Sequence, residues 1–263
     1  MRLGLIGTGR MGRPMLSRLI EAGHEVCALG RSPETRTMLA DDGAQVVTDV
    51  AEAGAGTDAV LVCVYTDEQV REVCLGSELL AGMPRGSIVV VHTTGSPRTA
   101  EAIASRAAAR GISVVDSPVS GGPQDVAAGR LTLFVGGAED TVARIRPVLQ
   151  SYGDPVLHVG PVGAGQRVKL VNNALFAAQI GLLADAVRLA ALLGVDEAVL
   201  LGALPHGSAA SRALAGAVAR GSVAMFTEDV ADFLSKDVDV VRKVAAELGA
   251  DLGSLGDLIP GTR

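Results

Sequence analysis

Tryptophan is missing from this chain, and aromatic residues make up only 2% of its 263 positions. That leaves little to stack on nucleobases and little to anchor a membrane interface. A basic surplus is missing as well. Lys and Arg number 23 against 29 Asp and Glu, a net charge of −6, so the chain lacks the electrostatic footprint of a nucleic-acid binder. Cysteine is scarce. Cys27, Cys63 and Cys74 fit no zinc spacing, and no metal site is expected. Their odd number points to reduced, mostly buried thiols and to a cytoplasmic protein. The first six residues, Met1-Arg2-Leu3-Gly4-Leu5-Ile6, already read as a strand, so no signal peptide is expected before them. What is present is apolar and glycine-rich: 48% hydrophobic, 20% charged, 33 glycines. This is the composition of a folded soluble protein, long enough for one large domain or two small ones.

The first part of the chain alternates short apolar runs with helical patterns. Strands are expected at 3–6, 25–29, 59–64, 88–91, 113–115 and 131–135. Helices are expected at 11–22, 34–41, 67–73, 97–109 and 141–150. Such alternation predicts a mostly parallel sheet with helices on both faces. The pattern changes at Gly160-Pro161-Val162-Gly163-Ala164-Gly165, after which only helices are expected, at 168–193, 196–203, 211–219, 229–234 and 237–248. The domain boundary is placed at about 163, giving domains 1–162 and 163–263. The stretch 168–193 is the most apolar in the chain, yet it carries Lys169, Asn172, Asn173, Gln179, Asp185 and Arg188. That is too polar for a lipid-facing span and suits a long buried interdomain helix. The tail from Gly253 to Gly261 reads as turn-rich and frayed.

Gly7-Thr8-Gly9-Arg10-Met11-Gly12 fits the G-x-G-x-x-G pattern, and it lies between a predicted strand and a predicted helix. Gly7 permits a tight turn, Gly9 lets backbone approach a pyrophosphate, and Gly12 lets helix pack on strand. The helix N-terminus adds unpaired N–H groups and a positive dipole end. A purely structural turn is the alternative. After the second strand stands Leu29-Gly30-Arg31-Ser32, with no carboxylate to bind a ribose 2′-hydroxyl. Arg31 can pair with a 2′-phosphate and Ser32 can donate to it, which favours NADP(H) while leaving NAD(H) possible. The alternative for Arg31 is a solvated loop charge.

Lys169 opens the apolar helix, and Asn173 faces the same way one turn later. A lysine in a partly dry site can have its pKa lowered and act as acid or base near pH 7. The alternative is an amine that snorkels to solvent. Asp116-Ser117-Pro118-Val119-Ser120-Gly121-Gly122-Pro123 follows the sixth strand. Its backbone N–H groups and the Ser120 hydroxyl could hold an anion such as a substrate carboxylate, and an ordinary Gly-Pro turn is the alternative.

At these residues the chain resembles the β-hydroxyacid dehydrogenase family, which includes 3-hydroxyisobutyrate dehydrogenase and tartronate semialdehyde reductase. Four stretches carry the likeness in order: 4–15, 116–122, 163–173 with Lys169 in it, and Lys236-Asp237. The resemblance implies a Rossmann-type α/β N-terminal domain joined by a long helix to an all-α domain of the 6-phosphogluconate dehydrogenase type. It implies Lys169 as catalytic acid/base, Asn173 as its partner in holding substrate, and Ser120, Gly121 and Gly122 on the substrate carboxylate. Gly7, Gly9, Arg10, Met11, Gly12, Arg31, Ser32, Thr94 and Lys236 would bind cofactor. Relatives with Asn-Arg-Thr after the second strand tend to use NADPH; here the run is Gly30-Arg31-Ser32. Relatives also continue through about another helix past the point matching Gly249, so the helical domain is expected to be shortened. Val91 stands where many relatives have Asp.

The function expected is hydride transfer to or from a small 3-hydroxy or 3-oxo acid, in a homodimer. Two rivals share the fold. Imine reductases usually lack the helix lysine, so Lys169 argues against that activity. A non-catalytic NADP-binding sensor is disfavoured by the retained Lys169, Asn173 and Ser120.

Overall fold

The computed structural model describes residues 1–259. The chain folds as two compact units, Met1–Lys169 and Leu170 onward. In the first unit, nine strands form one sheet: β1 (Arg2–Ile6), β2 (Glu25–Leu29), β3 (Gln45–Val47), β4 (Ala59–Val62), β5 (Ile88–Val91), β6 (Ser113–Asp116), β7 (Val119–Ser120), β8 (Leu131–Gly136) and β9 (Gly153–Gly160). Their order is β3-β2-β1-β4-β5-β6-β8-β7, with β9 also paired to β8. The pairs from β3 to β6 are parallel, and β8 runs antiparallel to β6 and β7. The helices are α1 (Gly12–Glu21), α2 (Pro33–Asp41), α3 (Val50–Gly54), α4 (Asp67–Leu75), α5 (Leu79–Gly82), α6 (Pro97–Ala108), α7 (Pro123–Ala127) and α8 (Glu139–Leu149).

Uninterrupted apolar runs become the central strands because both faces of the sheet are covered. In β4, Leu61 joins Leu3 and Leu5 in one core, while Val60 and Val62 join Ile6 and Val89 in the other. Successive side chains thus point to opposite faces, and all of these residues are fully buried. Each such side chain contributes about 1.5–3 kcal/mol by leaving water. Hydroxyls start the helices. Ser32, Thr66 and Ser96 accept the amides of Thr35, Gln69 and Arg98.

The six strands expected from sequence are present to within two residues. Strands β3 and β7 and helices α3, α5 and α7 were not expected, since runs of two to five residues carry too little periodicity to read. Strand β9 holds Pro155 and an irregular pattern of exposure, and it lies against β8 outside the main path of the sheet. Proline is tolerated at such margins and hides them from a sequence reading.

Helix α9 (Ala164–Leu192) runs from the first unit into the second. By length and composition alone it could cross a membrane. Its Gln166, Lys169 and Asn173 are nonetheless buried within protein. The second unit continues with α10 (Glu197–Ala203), a 3-10 turn at Leu204–His206, α11 (Arg212–Arg220), α12 (Val223–Glu247) and α13 (Ser254–Leu258). Two expectations fail here. The helices expected at 229–234 and 237–248 are one helix, α12. The tail is not frayed as far as it is described. Residues 254–258 form α13, and Ile259 is buried with Ala177, Ile180 and Val230. Residues 260 and 261 of that expectation lie outside the described residues.

Candidate active site

The register of the sheet sets the site. Ile6 pairs with Val62, Val62 with Val91, and Val91 with Asp116. The carboxyl ends of β1, β4, β5 and β6 therefore finish in one row. The glycine turn, the 92–96 segment and the 117–122 loop all leave the sheet from that row, the edge where open α/β sheets take their ligands.

The glycine turn fits a dinucleotide. Gly7 has φ of 100° and a side chain there would strike the Cys63 carbonyl. A side chain on Gly12 would strike the Gly7 carbonyl, so the start of α1 sits directly on the turn. Above Gly9 there is open space, as approach of a pyrophosphate requires. Arg10 is exposed beside it. The Met11 side chain packs against the core, so Met11 offers the turn only its backbone. At the end of β2, Arg31 is exposed. Ser32 is the N-cap of α2, its Oγ 3.1 Å from the Thr35 nitrogen. Gly30 is crossed by the Arg36 side chain, which a Cβ at position 30 would meet at 2.6 Å. Arg36 also reaches the Arg31 carbonyl, at 3.5 Å.

Two residues that the sequence reading left without a role organise the start of α9. The Asp116 carboxylate accepts the N–H of Gly163 at 2.6 Å and that of Gln166 at 2.8 Å. It thereby caps the helix from the end of β6. Burial pushes its pKa up to about 6, against these two bonds, which pull it down. The Gln166 side chain, 1% exposed, spans the loop after β5. Its Nε2 donates to the Thr93 carbonyl at 2.9 Å, and its Oε1 accepts the Gly95 N–H at 2.9 Å. Thr94 is held between those bonds and is buried. Lys169, one turn further along α9, is 7% exposed, which rules out the solvent-snorkelling alternative. A carboxylate ending an otherwise apolar strand was the one visible hint of Asp116.

Behind the same row, His92 is fully buried between the Ser117 carbonyl, 2.7 Å from Nδ1, and the Tyr152 hydroxyl, 2.9 Å from Nε2. A carbonyl only accepts, so Nδ1 carries the proton and Nε2 accepts from Tyr152. Burial lowers the histidine to about 4. In the 117–122 loop, Ser120 is half-buried and Gly121 exposed. The Gly122 N–H is already engaged, donating to Asp125 Oδ2 at 2.8 Å.

The second unit holds the other two expected residues. Asn173 is buried; its Nδ2 donates to Asp237 Oδ2 at 2.5 Å and its Oδ1 accepts from Asn172. Asp237 Oδ1 lies 2.7 Å from Lys236 Nζ. Asp237 thus brings Asn173 and Lys236 into one network. Among the described residues no cluster of His, Cys, Asp or Glu could hold a metal ion.

Known proteins match both units of the chain. Residues 2–160 match the NAD binding domain of 6-phosphogluconate dehydrogenase. Residues 163–257 match the NAD-binding domain of NADP-dependent 3-hydroxyisobutyrate dehydrogenase. A 3-hydroxyisobutyrate dehydrogenase of Pseudomonas aeruginosa is 34% identical over 81% of this chain and 72% of its own length. The Mycobacterium tuberculosis 3-hydroxyisobutyrate dehydrogenase solved with L-serine superposes with a TM-score of 0.87 at 28% identity, covering 98% of this chain and 91% of that one. A Streptomyces aurantiacus imine reductase covers 97% of this chain and 98% of its own with a TM-score of 0.66, but at 19% identity it shares the fold alone. With its glycine turn, lysine-bearing helix and these matches over both units, the chain belongs to the β-hydroxyacid dehydrogenase family of nicotinamide-dependent oxidoreductases.

Proposed function

We propose that this chain is an NADP(H)-dependent oxidoreductase of small 3-hydroxy acids and the matching 3-oxo acids, with Lys169 as general acid and base. The observation that carries the reading is the burial of Lys169 on the turn of α9 that follows Gln166 and Asp116. Lysine is almost never fully buried unless it is paired, so its burial here marks a built position on the helix. The bound nicotinamide supplies or accepts the hydride. In reduction the Lys169 ammonium gives a proton to the carbonyl oxygen as charge develops there. In oxidation the neutral amine takes the hydroxyl proton. Ser120 and the backbone of Gly121 orient the substrate by its acid group, so that one carbon faces the cofactor. Thr94, fixed on both sides by Gln166, lines the cofactor end of the site.

The NADP(H) preference rests on Arg31 and on the lack of a carboxylate at 29–32. The homodimer rests on an apolar row along α9. Val171, Leu175, Leu182 and Leu189 recur at spacings of four and seven and are each 49% exposed or more. Three free cysteines fit a reducing compartment such as the cytoplasm.

The test is a panel of 3-hydroxy acids, semialdehydes and one cyclic imine, each with NADP(H) and NAD(H). Turnover of a 3-hydroxy acid and none of the imine is expected. Lys169→Ala is expected to lower kcat by about two to four orders of magnitude with NADPH binding intact. Near-normal turnover in that variant would sink the assignment. Arg31→Ala is expected to weaken NADPH binding by about 10- to 100-fold and leave NADH binding unchanged, as fluorescence titration would show.

A further inference from the structure

We infer that His92 is a positioning residue: its ring fixes where the 117–122 loop leaves the sheet, and so where Ser120 stands relative to the 92–96 segment that carries Thr94. This role rests on the dehydrogenase reading above and adds a residue to it. His92 is the first residue after β5, and Ser117 is the first after β6. Main-chain pairing carries on for one residue past each strand. The His92 N–H donates to the Val62 carbonyl at 2.9 Å, and the Ser117 N–H to the Val91 carbonyl at 2.7 Å. The Ser117 carbonyl takes its donor from a side chain instead, His92 Nδ1 at 2.7 Å. The Ser117 hydroxyl gives the loop no hold, for its Oγ is buried with no hydrogen-bond partner. Its main chain is what ties Ser117 down, the N–H to β5 and the carbonyl to the ring.

A buried carbonyl needs a donor, and only the Nδ1–H tautomer supplies one here. Nε2 is then an acceptor, and the Tyr152 hydroxyl donates to it at 2.9 Å. The two rings meet edge to face, and neither is more than 2% exposed, so water does not compete for either bond. Burial keeps the imidazole neutral, at about 4, and pushes the phenol well above its ordinary range, so both bonds persist at working pH. The ring stands at the root of two loops at once. Thr94 follows His92 by two residues, and Ser120 follows Ser117 by three. Pro118 and Val119, between Ser117 and Ser120, are set by bonds to Phe134 and by pairing with Leu133. A shift at Ser117 therefore passes to Ser120, and displacements of an ångström are enough to impair a reacting pair.

Asparagine and glutamine at position 92 separate the two ends of the ring. The Asn amide falls near Nδ1 and can still donate to Ser117. Gln reaches toward Nε2 and Tyr152 and leaves the Ser117 carbonyl unpaired. Each variant loses one buried bond, so a similar fall in Tm is expected of both. His92→Gln is expected to raise KM by about tenfold for the better of 3-hydroxypropanoate and 3-hydroxyisobutyrate, measured well below Tm, with NADPH affinity unchanged. His92→Asn is expected to bring KM back to within about threefold of wild type. Equal KM values in two variants of equal Tm would make His92 a tie within the core alone and overturn the inference. Nitrogen NMR of the wild type with 15N-labelled histidine needs neither variant nor substrate. Of the four histidine rings, that of His92 is expected in the Nδ1–H form. An Nε2–H ring would remove the Ser117 bond and overturn the inference, leaving the dehydrogenase reading standing. If NADPH binds but no 3-hydroxy acid is turned over, the dehydrogenase reading falls and takes this role of His92 with it.

Discussion

Two buried groups at the carboxyl edge of the sheet respond to pH in opposite directions. His92 is lowered from its ordinary 6.5 to about 4, because burial disfavours its charged form. Between those values the unfolded chain binds a proton that the folded chain refuses. Stability from His92 is therefore present above 6.5 and is lost as pH falls toward 4, by about 2 kcal/mol at pH 5. Asp116 is raised from 3.8 to about 6 by burial. Its contribution is present below 3.8 and is lost as pH rises through 6, so going from pH 7 to 5 restores about 1–2 kcal/mol. In the wild type the two nearly cancel. Relative to wild type, His92→Gln is expected to gain stability between pH 7 and 5, and Asp116→Asn to lose it. Urea midpoints at the two pH values would check both signs. Lys169, Asn173 and the glycines stood out in the sequence as candidates because they lie in local patterns of spacing. Asp116 and Gln166 did not, since their bonds reach across 50 and 73 residues of chain.

At the scale of the element, the first turn of α9 is tied to the sheet more firmly than helix propensity could achieve. The amide of Gln166 replaces the strand partners that the 93–95 segment lacks. Gln166→Leu would leave the Thr93 carbonyl and Gly95 N–H buried and unpaired. The expected cost is about 2–5 kcal/mol in urea denaturation, with a fall in kcat because Thr94 is no longer fixed. Periodicity revealed the long elements and failed in instructive places. Ser235-Lys236-Asp237 looked like a polar break and divided α12 in two. In the structure Asp237 is 5% exposed and accepts from Asn173, so the apparent break is a buried polar contact on one continuous helix. Short or irregular strands such as β3 and β9 hold too few alternating residues to be heard above the loops around them.

At the scale of the molecule, the change of composition near 163 revealed two kinds of architecture, though the first compact unit also takes in the opening turn of α9. Asp116 accounts for that, since its two bonds hold residues 163–166 to the sheet. The apolar row on α9 is expected to close on a second copy. Leu182→Lys, at a position 49% exposed, should shift sedimentation toward the monomer without lowering Tm of the isolated fold by more than about 0.5 kcal/mol equivalent. An unchanged sedimentation coefficient would argue against that face as the contact. The His92–Tyr152 pair has a further consequence for anyone watching this protein by light. With no tryptophan and only two tyrosines, the near-ultraviolet absorption of the chain comes mainly from phenols, and one of the two, Tyr152, is hydrogen-bonded to the His92 imidazole. The molecule therefore carries its own optical reporter there, and the glow of reduced nicotinamide can be followed with no indole feeding energy into it.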